Sequence, residues 1–380
     1  MPALSMMSTK KYFKVLEAAA CMTARLPGVE DQYEDEILQA AKDNFRYGIG
    51  LKELLMEAAR KNGYLNSRSS VIEVEAQQYA FGINARFSTI SIGETLANVA
   101  NKFVMRGWDS VDKTPLRIAK IRPVTDFKQI STVSLFGDIE FEQVGPAGTI
   151  PHGTLGNTAY SNKADTYAKM LAITRTDIIN DDIGALTTVP QKLGRGSALK
   201  LNALFWTKFL DNSAFFTSGR SNVSTDTGQL SLIGLEQANA IFEAQKDPND
   251  DPLGVRPEIL LVPTELRSTA GTLMNSEKIK GSTDGPDGNP WKDRFRVESS
   301  PYMSDSNYTG NSTSAWYLLA DPEVLPVIEI AALGGRVEPI IEQADAAFSY
   351  LGIQMRGYSD IGVEMQEYRG GVRADGSTAD

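Results

Sequence analysis

Hydrophobic side chains in the first hundred residues recur at helical spacing. In 31–48, DQYEDEILQAAKDNFRYG, Tyr33, Ile37, Ala41 and Phe45 repeat every four with Leu38 alongside, and Gly48 follows. That is one helical face with a glycine stop. In 50–63, GLKELLMEAARKNG, Leu51, Leu54, Leu55, Ala58 and Ala59 repeat the pattern up to Asn62-Gly63. A third helix is predicted after Ser91, which with Glu94 has capping-box spacing; Leu96, Val99, Ala100, Phe103 and Val104 form its stripe and Gly107 its expected end. KKYFKVLEAAAC (10–21) has basic residues before an Ala-rich run, but Glu17 within that run favours an amphipathic helix over a signal peptide. The stripes are narrow and the links polar, so these helices are expected to form an arm without a compact core. Such an arm would lie on a later part of the chain or on another copy.

The period changes to two across 131–173. TVSLFGDIEFEQV alternates partly through Ile139, Phe141 and Gln143, GPAGTIPHGTLGN forms a Gly/Pro-rich tip, and KADTYAKMLAI places Ala164, Thr166, Ala168 and Met170 opposite Tyr167 and Lys169. The pattern predicts one long two-stranded hairpin, which is marginal alone and needs a neighbour. Next comes ITRTDIINDDIGALTTVPQKLGRG (173–196). Its aspartates Asp177, Asp181 and Asp182 suit the first turns of a helix, where each is worth roughly 0.3–1 kcal/mol against the helix dipole. Pro190 is expected to break or kink that helix and Gly194 to loosen it. SALKLNALFWTKFLDN then carries two stripes, Leu201, Phe205 and Phe209 on one and Leu199, Ala203, Trp206 and Leu210 on the other. A helix apolar on two sides is buried on two sides.

After residue 212 helical and strand patterns mix. LIGLEQANAIFEAQ and TELRSTAGTLMNS read as helices. EILLVP, RFRVESS, AWYLLAD, VLPVIEIAAL, VEPIIEQ, YLGIQMRGY and IGVEMQEYRG read as strands, so the fold class is α+β. Charge divides along the same line. Residues 1–212 carry 25 Lys+Arg and 23 Asp+Glu, a net of +2, whereas 213–380 carry 13 and 25, a net of −12. No basic patch of the kind sequence-specific DNA binders use is present. The longest apolar run, VLPVIEIAAL, is too short for a membrane span and contains Pro326 and Glu329.

Candidate chemistry is sparse. One cysteine, Cys21, excludes an intrachain disulfide framework and a Cys-rich zinc module. The one histidine, His152, sits in the Gly/Pro-rich tip with no positioned nucleophile nearby. The Asp177–Asp182 cluster lacks the alternating acids, sixth-position glycine and twelfth-position glutamate of a calcium loop. GSTDGPDGNPW likewise matches no standard metal loop. The chain contains no G-x-x-x-x-G-K-[ST], H-E-x-x-H, G-x-S-x-G or C-x-x-C motif. These patterns assign no catalytic, cofactor or metal residue and no cofactor, while the plentiful carboxylates leave an acid pair formally possible. A carboxylate-dependent soluble hydrolase is the alternative from another class.

The order of parts, and TLANVANKF (95–103), ITRTDIINDDIGALTTVPQKLGRGSA (173–198), PEILLVP (257–263), WYLLADP (316–322) and VEPIIE (337–342), resemble the major capsid proteins of tailed bacteriophages, the HK-ninety-seven type. Within them the likeness is to the branch associated with a Clp-type head-maturation protease. The NDDIGAL core, followed by proline and a Gly-Arg helix start, is its most specific segment, and the likeness runs from about residue 30 to residue 370. The chain departs from that pattern at FFTSGRSNVS and at YSDIG (358–362).

The resemblance implies a helical N-terminal arm at 1–120, an E-loop hairpin at 131–173, and a P-domain spine helix with its linker at 174–224. It implies an A-domain at 225–335 and return strands of the P-domain with the C-terminal tail at 336–380. It implies a structural protein and not an enzyme, self-assembling as hexamers and pentamers into an icosahedral virion capsid that encloses double-stranded DNA without sequence-specific binding. The implied partners are portal, decoration or cement proteins and a head-maturation protease, with assembly in the host cytoplasm. An encapsulin-like compartment is the alternative within the fold. Some relatives crosslink an E-loop lysine to an asparagine, which directs attention to Lys163 and Lys169.

Overall fold

A computed structural model of the chain describes residues 7–64, 92–133, 137–138, 143–144, 154–155, 159–174, 176, 180, 184–225, 228–247, 250–279, 288–343 and 352–377. Its helices are α1 (Thr9–Thr23), α2 (Asp35–Asn44), α3 (Leu51–Lys61), α4 (Ile92–Asp109), α5 (Pro115–Ile118), α6 (Gly184–Leu210), α7 (Leu232–Glu243) and α8 (Arg267–Asn275). Its strands are β1 (Lys120–Val124), β2 (Ile130–Val133), β3 (Gly137–Asp138), β4 (Thr154–Leu155), β5 (Ala159–Asn162), β6 (Asp165–Thr174) and β7 (Val223–Ser224). They continue with β8 (Pro257–Pro263), β9 (Arg296–Ser300), β10 (Trp316–Ala320), β11 (Ile328–Leu333), β12 (Ile340–Gln343), β13 (Gly352–Met365) and β14 (Gly371–Ala374).

The compact units are not consecutive runs of chain. One combines 1–112, 166–199 and 338–359; the other combines 113–165, 200–337 and 360–380.

In the first unit the helices do make a core, contrary to the coreless arm expected from their narrow stripes. Helix α1 buries Tyr12, Phe13, Val15, Leu16 and Cys21, α3 buries Leu51, Leu54 and Leu55, and α4 buries Leu96, Val99, Ala100, Phe103 and Val104. These side chains form one cluster completed by Ile341 and Met355, which the chain supplies more than two hundred residues later. Helix α1 is amphipathic with Glu17 inside. That carboxylate accepts from Tyr33 Oη at 2.8 Å and pairs with Lys102 Nζ at 3.1 Å. Asn101 of α4 serves the edge of β12: its Oδ1 accepts from Ile341 N–H at 2.9 Å and its Nδ2 donates to Ile341 O at 3.3 Å.

Two expected breakpoints prove to be contacts. Helix α4 continues past Gly107 to Asp109, and α6 runs unbroken through Pro190 and Gly194. A Cβ on Gly107 would lie 1.9 Å from Gln191 O, and one on Gly194 would lie 1.9 Å from Val104 O. The two helices therefore cross with backbone against backbone, which only glycine permits. Pro190 removes one ladder bond, to the carbonyl of residue 186, and the rest of the ladder carries the helix onward. Gly63, with φ +100°, is a true helix stop directly after the Asn62 cap of α3, whereas α2 already ends at Asn44 and Gly48, with φ +91°, turns the chain beyond it.

The second unit is built on a mixed sheet in the order β7-β14-β10-β8-β9. Strands β8 and β10 are continuous apolar runs buried on both faces, as expected where α7 and α8 cover the sheet. The second part of α6 buries Leu201, Phe205, Trp206 and Phe209, with Phe209 5.0 Å from the Tyr317 ring. Leu199 of the second predicted stripe is instead exposed. Strand β11 pairs with β1 in parallel and with residues 361–365 of β13 antiparallel. The two patterns predicted in YLGIQMRGY and IGVEMQEYRG are one strand, β13.

The hairpin is shorter than 131–173. Strand β2 pairs with β5 (Ile130 opposite Asn162) and β3 with β4, so the return strand ends at Asn162. KADTYAKMLAI is a separate strand, β6, paired with β13. The expected alternation does not separate a buried face from an exposed one: Thr166, Ala168 and Met170 are exposed and Tyr167 is half-buried, and the break from β5 is the tight packing of Lys163-Ala164 onto Gly362.

Candidate assembly surfaces

The positions singled out for chemistry do not converge. Asp177, Asp181, Asp182, His152, Ser91 and most of the GSTDGPDGNPW loop lie outside the described residues. Among the described residues no three His, Cys, Asp or Glu side chains group as metal ligands, and no helix is long and apolar enough to cross a membrane. Cys21 is fully buried, and burial pushes its thiol up, away from the thiolate a nucleophile needs.

Carboxylates are buried in the second unit, each beside an arginine. Glu298 of β9 accepts from Arg117 Nε at 2.7 Å, with Arg296 Nε 3.4 Å from its other oxygen. Glu367 pairs with Arg369 Nη1 at 3.0 Å and accepts from Tyr160 Oη at 2.8 Å. Glu329 lies 3.7 Å from Arg122 Nη1 and accepts from Asn162 Nδ2 at 3.3 Å. Burial raises the Glu329 carboxyl above its ordinary value, against the opposing pull of Arg122 and Asn162. Glu329 stands opposite Glu364 across β11 and β13, but Glu364 has its own cation, Lys208 Nζ at 2.8 Å. These groups are pinned to structural partners, an arrangement suited to joining strands and not to passing protons to a substrate.

The outward side chains are of a different kind. Met170 on β6 is 70% exposed and Ile233 on α7 is 61% exposed. Phe127, beyond β1, and Val324, before β11, are exposed as well. Lys163 and Lys169 are also exposed, and Lys163 Nζ sits 2.9 Å from Asp165. The β2–β5 and β3–β4 pairs make two-stranded sheets of their own. Singly exposed apolar side chains are ordinary on a protein surface, whereas thin two-stranded hairpins are marginal alone and gain stability by contact with other protein.

The family model for phage capsid protein matches residues 159–374, more than half of the chain. The chain belongs to the phage capsid protein family. It is a structural protein of the capsid, not an enzyme, and its place is the virion shell built from copies of itself. Among solved structures, this capsid protein is similar to the capsid of Ralstonia phage GP4, at 10% identity over 69% of this chain and 88% of that one, TM-score 0.45. It is similar to the virus-like particle from Pyrococcus furiosus, at 10% identity over 73% and 98%, TM-score 0.41. It is also similar to the SrpI encapsulin of Synechococcus elongatus, at 8% identity over 71% and 90%, TM-score 0.42. No curated protein matches its sequence.

Tyr160 and Asn162 carry no mark of their role in the sequence. They are ordinary polar residues in a turn-rich stretch, and their partners Glu367 and Glu329 lie at least 167 residues away. The available signal was their i, i+2 spacing, which puts both on one face of a strand.

Proposed function

We propose that this capsid protein closes, as hexamers and pentamers, into an icosahedral shell around double-stranded phage DNA. The family match carries this reading. The hairpin at 130–162, read as the E-loop, reaches over a neighbouring subunit, and α6 is the P-domain spine. The sheet of β8 and β10 with α7 and α8 forms the A-domain near the shell's symmetry axes. A standard protein interface buries about 1,600 Å², and a shell subunit makes several. Weak contacts repeated by closed symmetry then give a stable container.

The net charge of −10 suits a wall around DNA. Phosphate is repelled, so the packed genome is free to move in through a portal and out again. Head-maturation protease and decoration proteins are the further partners of this reading. Assembly takes place in the bacterial cytoplasm.

Electron microscopy of the purified protein, with size-exclusion chromatography beside it, tests the proposal. Closed shells tens of nanometres across, or hexamers and pentamers, are expected, with DNA inside native particles. Protein cargo in place of DNA would indicate an enzyme compartment. A stable monomer or dimer under all salt conditions would refute the shell. Detergent gels address crosslinking through Lys163 or Lys169: a single band near 41.4 kDa is expected, and a ladder would overturn that.

A further inference from the structure

The root of the hairpin is held by two buried carboxylates. Tyr160 and Asn162 alternate along β5, so both side chains leave the same face. Tyr160 Oη donates to Glu367 Oε2 at 2.8 Å, and Asn162 Nδ2 donates to Glu329 Oε1 at 3.3 Å and to Glu329 O at 3.2 Å. Asn162, Glu329 and Glu367 are each at most 5% exposed. Just past β5 the backbone presses on β13: a Cβ on Gly362 would lie 1.8 Å from Lys163 O. Ala164 packs with Val124 and Ala331 beneath. Among the described strands, β2 and β5 pair only with each other. This root therefore sets the angle at which the hairpin leaves the body.

We propose that residues 160–164 are the hinge of the hairpin, and that Tyr160 on Glu367 and Asn162 on Glu329 form a lock that docks or releases it. Lifting β5 would break both hydrogen bonds and open Glu329 to water.

The lock responds to acid with a sign opposite to a simple salt-bridge latch. Glu329 faces Arg122 and Lys120 on β1, Asn162 on β5, and Glu364 on β13, which Lys208 of α6 holds. Glu367 faces Tyr160 and Arg369, and Tyr160 in turn feels Arg369 and Tyr368. Burial raises the Glu329 carboxyl above 4.5 in the docked state. Released and hydrated, it returns toward that value. The docked state thus binds the proton more tightly, so acid favours docking and alkali favours release. The docking equilibrium changes by up to about tenfold per pH unit between the two pKa values and is flat outside them. Tyr160 is pushed far above the usual phenol range, first by burial and then by Glu367, so it donates throughout.

Hydrogen exchange of the full chain tests the lock, reading the amides of 130–133 and 159–162 from pH 4 to 8 on one oligomeric species, corrected for intrinsic exchange. Protection is expected to rise as pH falls, with its midpoint above 4.5. Glu329→Gln is expected to hold the acid-level protection at every pH. Asn162→Ala and Tyr160→Phe are each expected to lower protection there at least several-fold, while β8 and β10 amides stay unchanged. An unaltered pH profile in Glu329→Gln would overturn the titrating part of the lock. Unaltered protection in both Asn162→Ala and Tyr160→Phe would overturn the lock itself. Should Asn162→Ala fail to fold, Tyr160→Phe decides, since it removes only the hydroxyl. Exchange is read on the subunit, so its failure is distinct from a failure to form shells.

Discussion

Replacing Gly194 by alanine removes the close approach between α4 and α6. The added methyl would sit 1.9 Å from Val104 O and 3.0 Å from Trp108 N, so the helices must part by about 1 Å before even the shortest tolerable contact is reached. Both obstacles are backbone and cannot rotate away. Overpacking costs about 1–3 kcal/mol and occasionally more, and a backbone clash belongs at the upper end. Alanine returns about 1 kcal/mol through helix propensity. The net expectation is a loss of about 2 kcal/mol or more.

Gly196 is the control, two residues along the same helix, with nothing within 4 Å of the place a methyl would take. Gly196→Ala should gain about 0.5–1 kcal/mol from propensity alone. The assay is built into the chain: Cys21 is the one cysteine and is fully buried in the cluster that contains Val104. Its reaction with a thiol reagent across a urea series reports the opening of that unit. With a slope of about 1–3 kcal/mol/M, the two variants should differ in midpoint by about 1 M or more. Gly107→Ala should resemble Gly194→Ala, and the double variant should cost less than the sum, because parting the helices once relieves both clashes. Equal midpoints for Gly194→Ala and Gly196→Ala would refute the backbone contact.

Three further outcomes are expected. Trp316→Phe leaves Gly228 O without the indole N–H that donates to it at 2.7 Å and shrinks a fully buried side chain, so urea unfolding followed by fluorescence should show a loss of about 2–3 kcal/mol. Glu298→Gln strips the shared carboxylate from Arg117 and Arg296, whose side chains are 45% and 56% exposed; water recovers much of their solvation, so calorimetry should show about 1–2 kcal/mol and not the 3–5 of a fully buried pair. Without denaturant, Cys21 should resist a thiol reagent at pH 8, and labelling as fast as in urea would contradict its burial.

Local elements were legible where one physical signal decided them. The stripe of Leu51, Leu54, Leu55, Ala58 and Ala59 specifies α3, and the doubly apolar EILLVP specifies β8, because burial and period agree. What the sequence hid was partnership. Glycine at Gly63 ends a helix through a positive φ, while Gly107 and Gly194 stay helical and admit another helix. One residue type serves both purposes, and only the partner distinguishes them. The core of the first unit was illegible for the same reason: Ile341 and Met355 complete stripes that look too narrow when 1–112 is read alone. The alternation in 165–174 does specify an extended strand, but alternation does not name the strand it pairs with, and β6 went to β13.

The hairpin root joins these levels. A two-stranded ribbon is marginal in water, and on the proposed reading, in which the hairpin lies on a neighbouring subunit, the entropy of its free swing is a cost of association. Fixing the departure angle at Tyr160 and Asn162 removes part of that cost before the neighbour arrives. Polar locks suit the task better than an apolar plug. Burying a carboxylate is expensive unless each oxygen is partnered, so Glu329 and Glu367 accept the hairpin in one register, with Arg122 and Arg369 already in place. An apolar root would tolerate sliding, whereas these hydrogen bonds do not. The same desolvation that makes the lock specific also lifts the Glu329 carboxyl, so specificity and acid response have one cause.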